Sequence, residues 1–169
     1  MQEPRLTPTS YIVLGLLELC GEATPYELKQ LVAESVGYFW SLQHAQLYTE
    51  PERLTVAGYL RERREETGRR RKHYSLTAKG RAALADWRAE PTAALAELRE
   101  PALLKLFFGA DAAELAEAQL AAHRERLAEY EAIHARLPKS TPDGPRLSLE
   151  AGIEAERAFL AFWERVASG

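Results

Sequence analysis

Gly68-Arg69-Arg70-Arg71-Lys72-His73-Tyr74-Ser75-Leu76 sets four consecutive cations behind a glycine and then runs on into an alternating segment. Clustered guanidinium and ammonium groups suit contact with phosphates along a nucleic-acid backbone, or entry of arginine into a narrow minor groove. A solvated loop is the competing reading of any charge run. A second group lies upstream: Gln43, His44 and Gln46 carry the donors and acceptors that read base edges, while Tyr26 and Tyr48 offer phenols for phosphate hydrogen bonds. Arg53 is a further outward-facing candidate for DNA. Against these stand a core role for Tyr48 and an ion pair of Arg53 with Glu50 or Glu52.

The elements that must position these residues follow from local signals. The segment Tyr59 to Arg64 can pair with Arg71 to Leu76 across a turn at Thr67-Gly68, where glycine supplies the positive φ of a hairpin tip. Tyr74 and Leu76 then share one face, and His73 and Ser75 the other. Upstream, Thr9 or Ser10 can cap an almost wholly apolar helix that stops at Gly21. Thr24-Pro25-Tyr26-Glu27 is a capping-box start for a second helix, about Pro25 to Ser35. Ser41 can cap a third, with Leu47, Leu54 and Ala57 inward and an end at Gly58. Pro51 interrupts that third pattern. A helix starting near Glu50 is the alternative, and it moves Gln43 and His44 into the preceding turn.

The second half is helical throughout. Thr77 caps a helix from Ala78 to Ala89, Pro91 ends it, and Pro101 starts the apolar segment 102–108. Asp111 with Glu114 opens a long helix to about Leu137, in which Ala113, Ala116, Leu120, His123, Leu127, Tyr130, His134 and Leu137 alternate spacings of three and four. After a proline-rich loop from Pro138 to Pro145, Ser148 can cap a last helix with Leu149, Ile153, Leu160 and Trp163 on one side. The expected fold class is mainly α with a small β-hairpin: a winged helix-turn-helix over 1–90 and a helical dimerisation domain over 91–169. Leu120, Leu127, Tyr130, Leu137, Ile153, Leu160 and Trp163 are the expected dimer contacts. Trp87, Phe107 and Phe108 are candidates to line an apolar effector pocket.

Composition narrows the function class. The net charge of −3 hides an asymmetry, because residues 61–81 hold 9 Lys and Arg against 3 Glu while 86–169 hold 10 against 15 Asp and Glu. A focused basic patch steers a polyanion even on an acidic protein. No apolar run approaches the roughly 20 residues of a membrane span, so no membrane partner and a cytoplasmic location are expected. Cys20 is the single cysteine, excluding an internal disulfide, and its leucine neighbours place it in the core. Nothing marks an enzyme: there is no glycine-rich phosphate loop and no nucleophile elbow. His123 and His134 stand about three helical turns apart, too far to share one metal, so neither metal nor cofactor is expected. The alternative to an operator-binding regulator is a helical adaptor or RNA-binding module.

The stretch Arg71-Lys72-His73-Tyr74-Ser75-Leu76-Thr77-Ala78-Lys79-Gly80, leading into a helix with Trp87, resembles the wing and following helix of PadR-family transcriptional regulators. The resemblance extends back through Tyr26-Glu27-Leu28-Lys29 and Gln46-Leu47-Tyr48, and forward through Leu103 to Phe108 and the two long helices. It matches the subgroup with a long helical C-terminal domain. Pro51 departs from it, standing where the family usually has a leucine. The resemblance implies a homodimer that represses transcription by occupying double-stranded operator DNA, often released by a small molecule. A small aromatic effector would suit the pocket that Trp87, Phe107 and Phe108 could line, with ordinary core or interface packing as the competing reading of those residues.

Overall fold

Thr7 opens the first helix of the computed structural model, which describes residues 5–67 and 70–169. The helix α1 (Pro8–Cys20) has a reciprocal cap: Ser10 N donates to the Thr7 hydroxyl and Thr7 N donates to the Ser10 hydroxyl, at 3.4 and 2.8 Å. The sequence points to Thr9 or Ser10 as the cap. The helix starts earlier because Thr7-Pro8 supplies both an acceptor and a proline preset for the first turn. Val13, Leu14, Leu16 and Leu17 are buried along α1. That core-facing side ends at Leu17, which leaves Cys20, expected inside, exposed.

A two-residue strand β1 (Glu22–Ala23) precedes α2 (Pro25–Ala33), whose Thr24 and Glu27 form the expected capping box, with Thr24 N donating to Glu27 Oε2 at 2.7 Å. After a 3-10 helix (Val36–Tyr38) and a connecting segment comes α3 (Gln46–Val56). Ser41 does not cap it. Its first residue follows Ala45, which offers no side-chain cap, and the helix begins on tight bonds from Gln46 N to Gln43 O and from Leu47 N to His44 O. Pro51 lies inside α3 and is buried. Having no N–H, it leaves the Leu47 carbonyl without the usual helical donor.

The strands β2 (Leu60–Arg64) and β3 (Lys72–Leu76) pair antiparallel, Leu60 opposite Leu76 and Arg64 opposite Lys72. β1 adds to the other edge of β3, giving the order β1-β3-β2. The sequence does not announce β1, since two residues cannot display alternation. Tyr74 and Leu76 turn into the core beside Leu14, Leu28, Leu54 and Leu84. The turn glycine Gly68 and the neighbouring Arg69 lie outside the described residues.

Thr77 caps α4 (Ala78–Ala89), accepting from Gly80 N at 3.1 Å while donating to the carbonyl of Gly58 at 2.8 Å. Gly80 is required by close approach: a Cβ there would lie 2.2 Å from the Tyr59 carbonyl oxygen. Arg88 grips Glu18 with two hydrogen bonds, and Trp87 stacks on Tyr11 with ring centres 4.6 Å apart, so α4 is fastened to α1.

The chain divides into two compact units between Ala94 and Leu95. The second contains α5 (Pro101–Phe107), α6 (Ala112–Arg136) and α7 (Asp143–Ala167). Asp111 caps α6 through Glu114 N at 2.9 Å. The last helix begins at Asp143, ahead of Ser148, because Pro145 is tolerated in a first turn; the Ser148 hydroxyl donates back to the Gly144 carbonyl instead of capping. Ala102, Ala116, Leu120 and Trp163 form the core of this unit.

That packing takes up part of the expected dimer seam within the single chain. Leu120, Tyr130, Ile153 and Trp163 are buried within the chain's own helices, and Leu127, Leu137 and Leu160 are half-buried. Three-and-four spacing marks an apolar side without saying which helix covers it, and here α6 and α7 cover each other. His123, read as a seam residue, is buried with its Nδ1 on Glu156 Oε2 and its ring stacked on Phe159 at 4.8 Å.

Candidate nucleic-acid interface

Among the described residues, α2, α3 with the turn before it, and the β2–β3 hairpin carry the polar groups singled out for nucleic acid. Tyr26 stands exposed in the first turn of α2. Gln43 and His44 are exposed in the turn before α3, and Gln46 and Tyr48 are exposed within it. Tyr48 is therefore not a core residue. The late start of α3 puts Gln43 and His44 ahead of the helix, where the Pro51 alternative moves them, although the helix itself starts at Gln46.

Arg53 behaves differently. Its guanidinium forms a two-pronged pair with Glu50, Nε to Oε2 at 2.9 Å and Nη2 to Oε1 at 2.6 Å, and donates to the Ser10 hydroxyl at 3.0 Å. Ser10 also donates to Glu50 Oε1 at 2.6 Å. Burial pushes the Glu50 carboxyl up, but the hydrogen bonds from Arg53 and Ser10 outweigh it and hold the group below its ordinary value. The pair closes the weak point that Pro51 makes in α3, since the residue before a proline is disfavoured in helical conformation. Arg53 thus serves first to hold the helix.

The hairpin sorts its charges by face. On one side Lys72 reaches Glu52 of α3 and lies 3.5 Å from Glu62, which also accepts from Arg64 Nε at 2.7 Å. The hydrogen bond to Glu52 holds the Lys72 ammonium above its ordinary range. On the other side Arg63 pairs with Glu22, and His73 lies between Glu22 and Glu65 at 3.4 and 3.1 Å. Hydrogen bonds from Arg63 and from His73 keep Glu22 and Glu65 respectively below the usual carboxylate range, so both stay ionised. Burial pushes the Tyr74 phenol, at the base of the sheet, up to about 12.

Net positive charge is thereby concentrated toward the tip. Arg70 is exposed there with a left-handed φ of 49°, and Arg71 is 60% exposed with only a 3.8 Å approach to Glu65. Among the described residues, the side chains of Arg61, Arg70 and Arg81 form no ion pair. Arg69 lies outside the described residues. Sequence reasoning did not see that carboxylates on α3, β1 and the hairpin itself would partner the lower cations. The charge count of 61–81 carried the only available signal, its three glutamates.

Residues 13–86 match the model described as the transcriptional regulator PadR-like family, and 98–168 match the virulence activator alpha C-terminal model. The chain carries a domain of the PadR-like family of transcriptional regulators. This PadR-like chain is 28% identical to the negative transcriptional regulator PadR of Bacillus subtilis over 92% of its own length and 93% of that protein's. The B. subtilis PadR structure in complex with operator DNA superposes with a TM-score of 0.84 at 26% identity, covering 98% of this chain and 99% of that one. The complex of the same protein with p-coumaric acid gives 0.79 at 26% identity, over 97% of each. Both compact units of this PadR-like chain are thus matched, and the winged helix-turn-helix falls in the first.

The effector candidates divide between the units. Trp87 is in the first, stacked on Tyr11; Phe107 and Phe108 are in the second, exposed and edge to face at 5.2 Å. A further apolar groove of about 230 Å³ in the second unit is lined by Leu98, Leu103, Ala158, Phe159 and Phe162. Its residues come from three separate segments, and no local pattern links them. Among the described residues, no helix is long and apolar enough to cross a membrane.

Proposed function

We propose that this chain acts as a homodimeric repressor in the cytoplasm, occupying a two-fold-symmetric operator and leaving it when a small planar aromatic acid binds. The observation that carries this reading is the likeness over nearly the whole chain to a relative seen on operator DNA, with TM-score 0.84. In this reading α3 enters the major groove, with Gln43, His44 and Gln46 against base edges. Tyr26 and Tyr48 hydrogen-bond phosphates, while Arg69, Arg70 and Arg71 lay the wing on the backbone. Lys72 and Arg53 support these contacts from their ion pairs. The protein works by binding and carries out no catalysis.

The dimer uses apolar surface that the single chain leaves uncovered. Leu104 and Phe107 on α5, with Phe108 just after it, are all exposed, an apolar group that suits a subunit contact better than the buried residues between α6 and α7. The effector class comes from the relative bound to p-coumaric acid, with Phe107, Phe108 and the groove beside Phe159 as candidate contacts in the second unit and Trp87 as a separate candidate in the first.

Fluorescence anisotropy with duplex fragments flanking the protein's own gene tests the reading. One duplex is expected to bind far more tightly than single-stranded DNA or RNA of the same sequence, and p-coumaric acid or a related phenolic acid to release it. Equal affinity for duplex, single strand and RNA would favour the adaptor or RNA-binding alternative.

A further inference from the structure

Of the outward stripe of α3, only Tyr48 belongs to the set of residues that sequence singled out. Tyr48, Thr49, Glu52 and Val56 are spaced by one, three and four and are all exposed. Of the two carboxylates nearest this stripe, Glu50 turns inward at 12% exposure, held by Ser10 and Arg53. Glu52 faces out at 55% exposure, and its carboxylate meets Lys72 of the wing. Lys72 also has Glu62 within 3.5 Å, so it keeps a partner if Glu52 turns elsewhere.

A carboxylate on a groove-facing helix is repelled by phosphates, and only a base amino group can satisfy it there. In the major groove that donor is above all the exocyclic N4 amino group of cytosine. We propose that Glu52 is a specificity-determining residue that selects a cytosine in each operator half-site by accepting a hydrogen bond from N4, with Lys72 as the residue that positions its carboxylate. This inference rests on the reading that α3 enters the major groove.

Selection from duplexes with randomised half-sites, with the wild type, Glu52→Ala and Glu52→Gln compared, tests it. The wild type is expected to enrich cytosine at one position in each half-site. Glu52→Ala loses about tenfold of the discrimination at that position alone and binds unrelated duplexes more tightly, having shed a negative charge. Glu52→Gln moves the preference toward adenine, whose N6 and N7 suit an amide. A residue that merely anchors Lys72 would produce no such switch. Unchanged preferences in both variants, or loss at a base other than cytosine, overturn the assignment. A wild type that selects no sequence removes the groove reading itself, and the role of Glu52 with it. Both variants change an exposed side chain, and circular dichroism verifies that they fold.

Discussion

The Ser10 hydroxyl donates a 2.6 Å hydrogen bond to Oε1 of Glu50, joining the first turn of α1 to the helix that contains Pro51. Because the Glu50 carboxyl is held below its ordinary value when folded, it contributes stability above the unfolded carboxyl pKa. That contribution is lost as pH falls through the folded value. Glu50→Gln is expected to lower unfolding stability at pH 7 by about 1–3 kcal/mol, since it leaves Arg53 and the buried Ser10 hydroxyl poorly satisfied. The difference from wild type should shrink toward pH 3. Chemical denaturation at several pH values measures it, and a pH-independent gap would show that Glu50 acts through packing alone.

Gly80→Ala is expected to destabilise the winged unit by about 3 kcal/mol, the upper end for overpacking. Alanine ordinarily favours a helix over glycine by about 1 kcal/mol, so the sign is a direct contest. The added Cβ meets a backbone oxygen at 2.2 Å rather than a side chain that could swing away, and the clash wins. Thermal unfolding reads the outcome.

The wing's cations are expected to contribute unequally to DNA affinity. Arg70→Ala with Arg71→Ala should flatten the slope of log affinity against log salt by about 0.9 for each phosphate contact removed. Arg63→Ala, whose guanidinium is paired with Glu22, should change the slope little. Binding titrations across salt concentration compare the two, and equal effects would mean that the ion pairs dissolve on DNA.

Phe107→Glu with Phe108→Glu is expected to convert a dimer to monomers in sedimentation velocity while leaving the helical content intact, because both rings are exposed in the single chain. Leu120→Ala should instead lower stability by about 2–5 kcal/mol, as for a buried leucine in a core.

What sequence made legible was local. Thr24 with Glu27, Thr77 and Asp111 each announce a helix start because the cap and its donor lie within one turn. The hairpin was legible because alternation survives in Lys72 to Leu76, and its register on β2 follows from that face. The start of α3 was not, since Ala45 carries no capping group and the helix is held instead by Ser10, distant in the chain. The pairing of Lys72 with Glu52 and of Arg63 with Glu22 joins residues 20 and 41 positions apart, beyond any periodicity. The apolar side of α6 was legible from its three-and-four spacing, but not that α7 of the same chain packs against it.

Hydroxyl-radical footprinting of the protein on a bound duplex tests the central claim most directly. A two-fold operator read by paired winged units predicts two symmetric protected half-sites, centred about 34–36 Å apart along the helix or a multiple of that distance. Protection of a single unsymmetrical site, or uniform protection along the whole duplex, would contradict it.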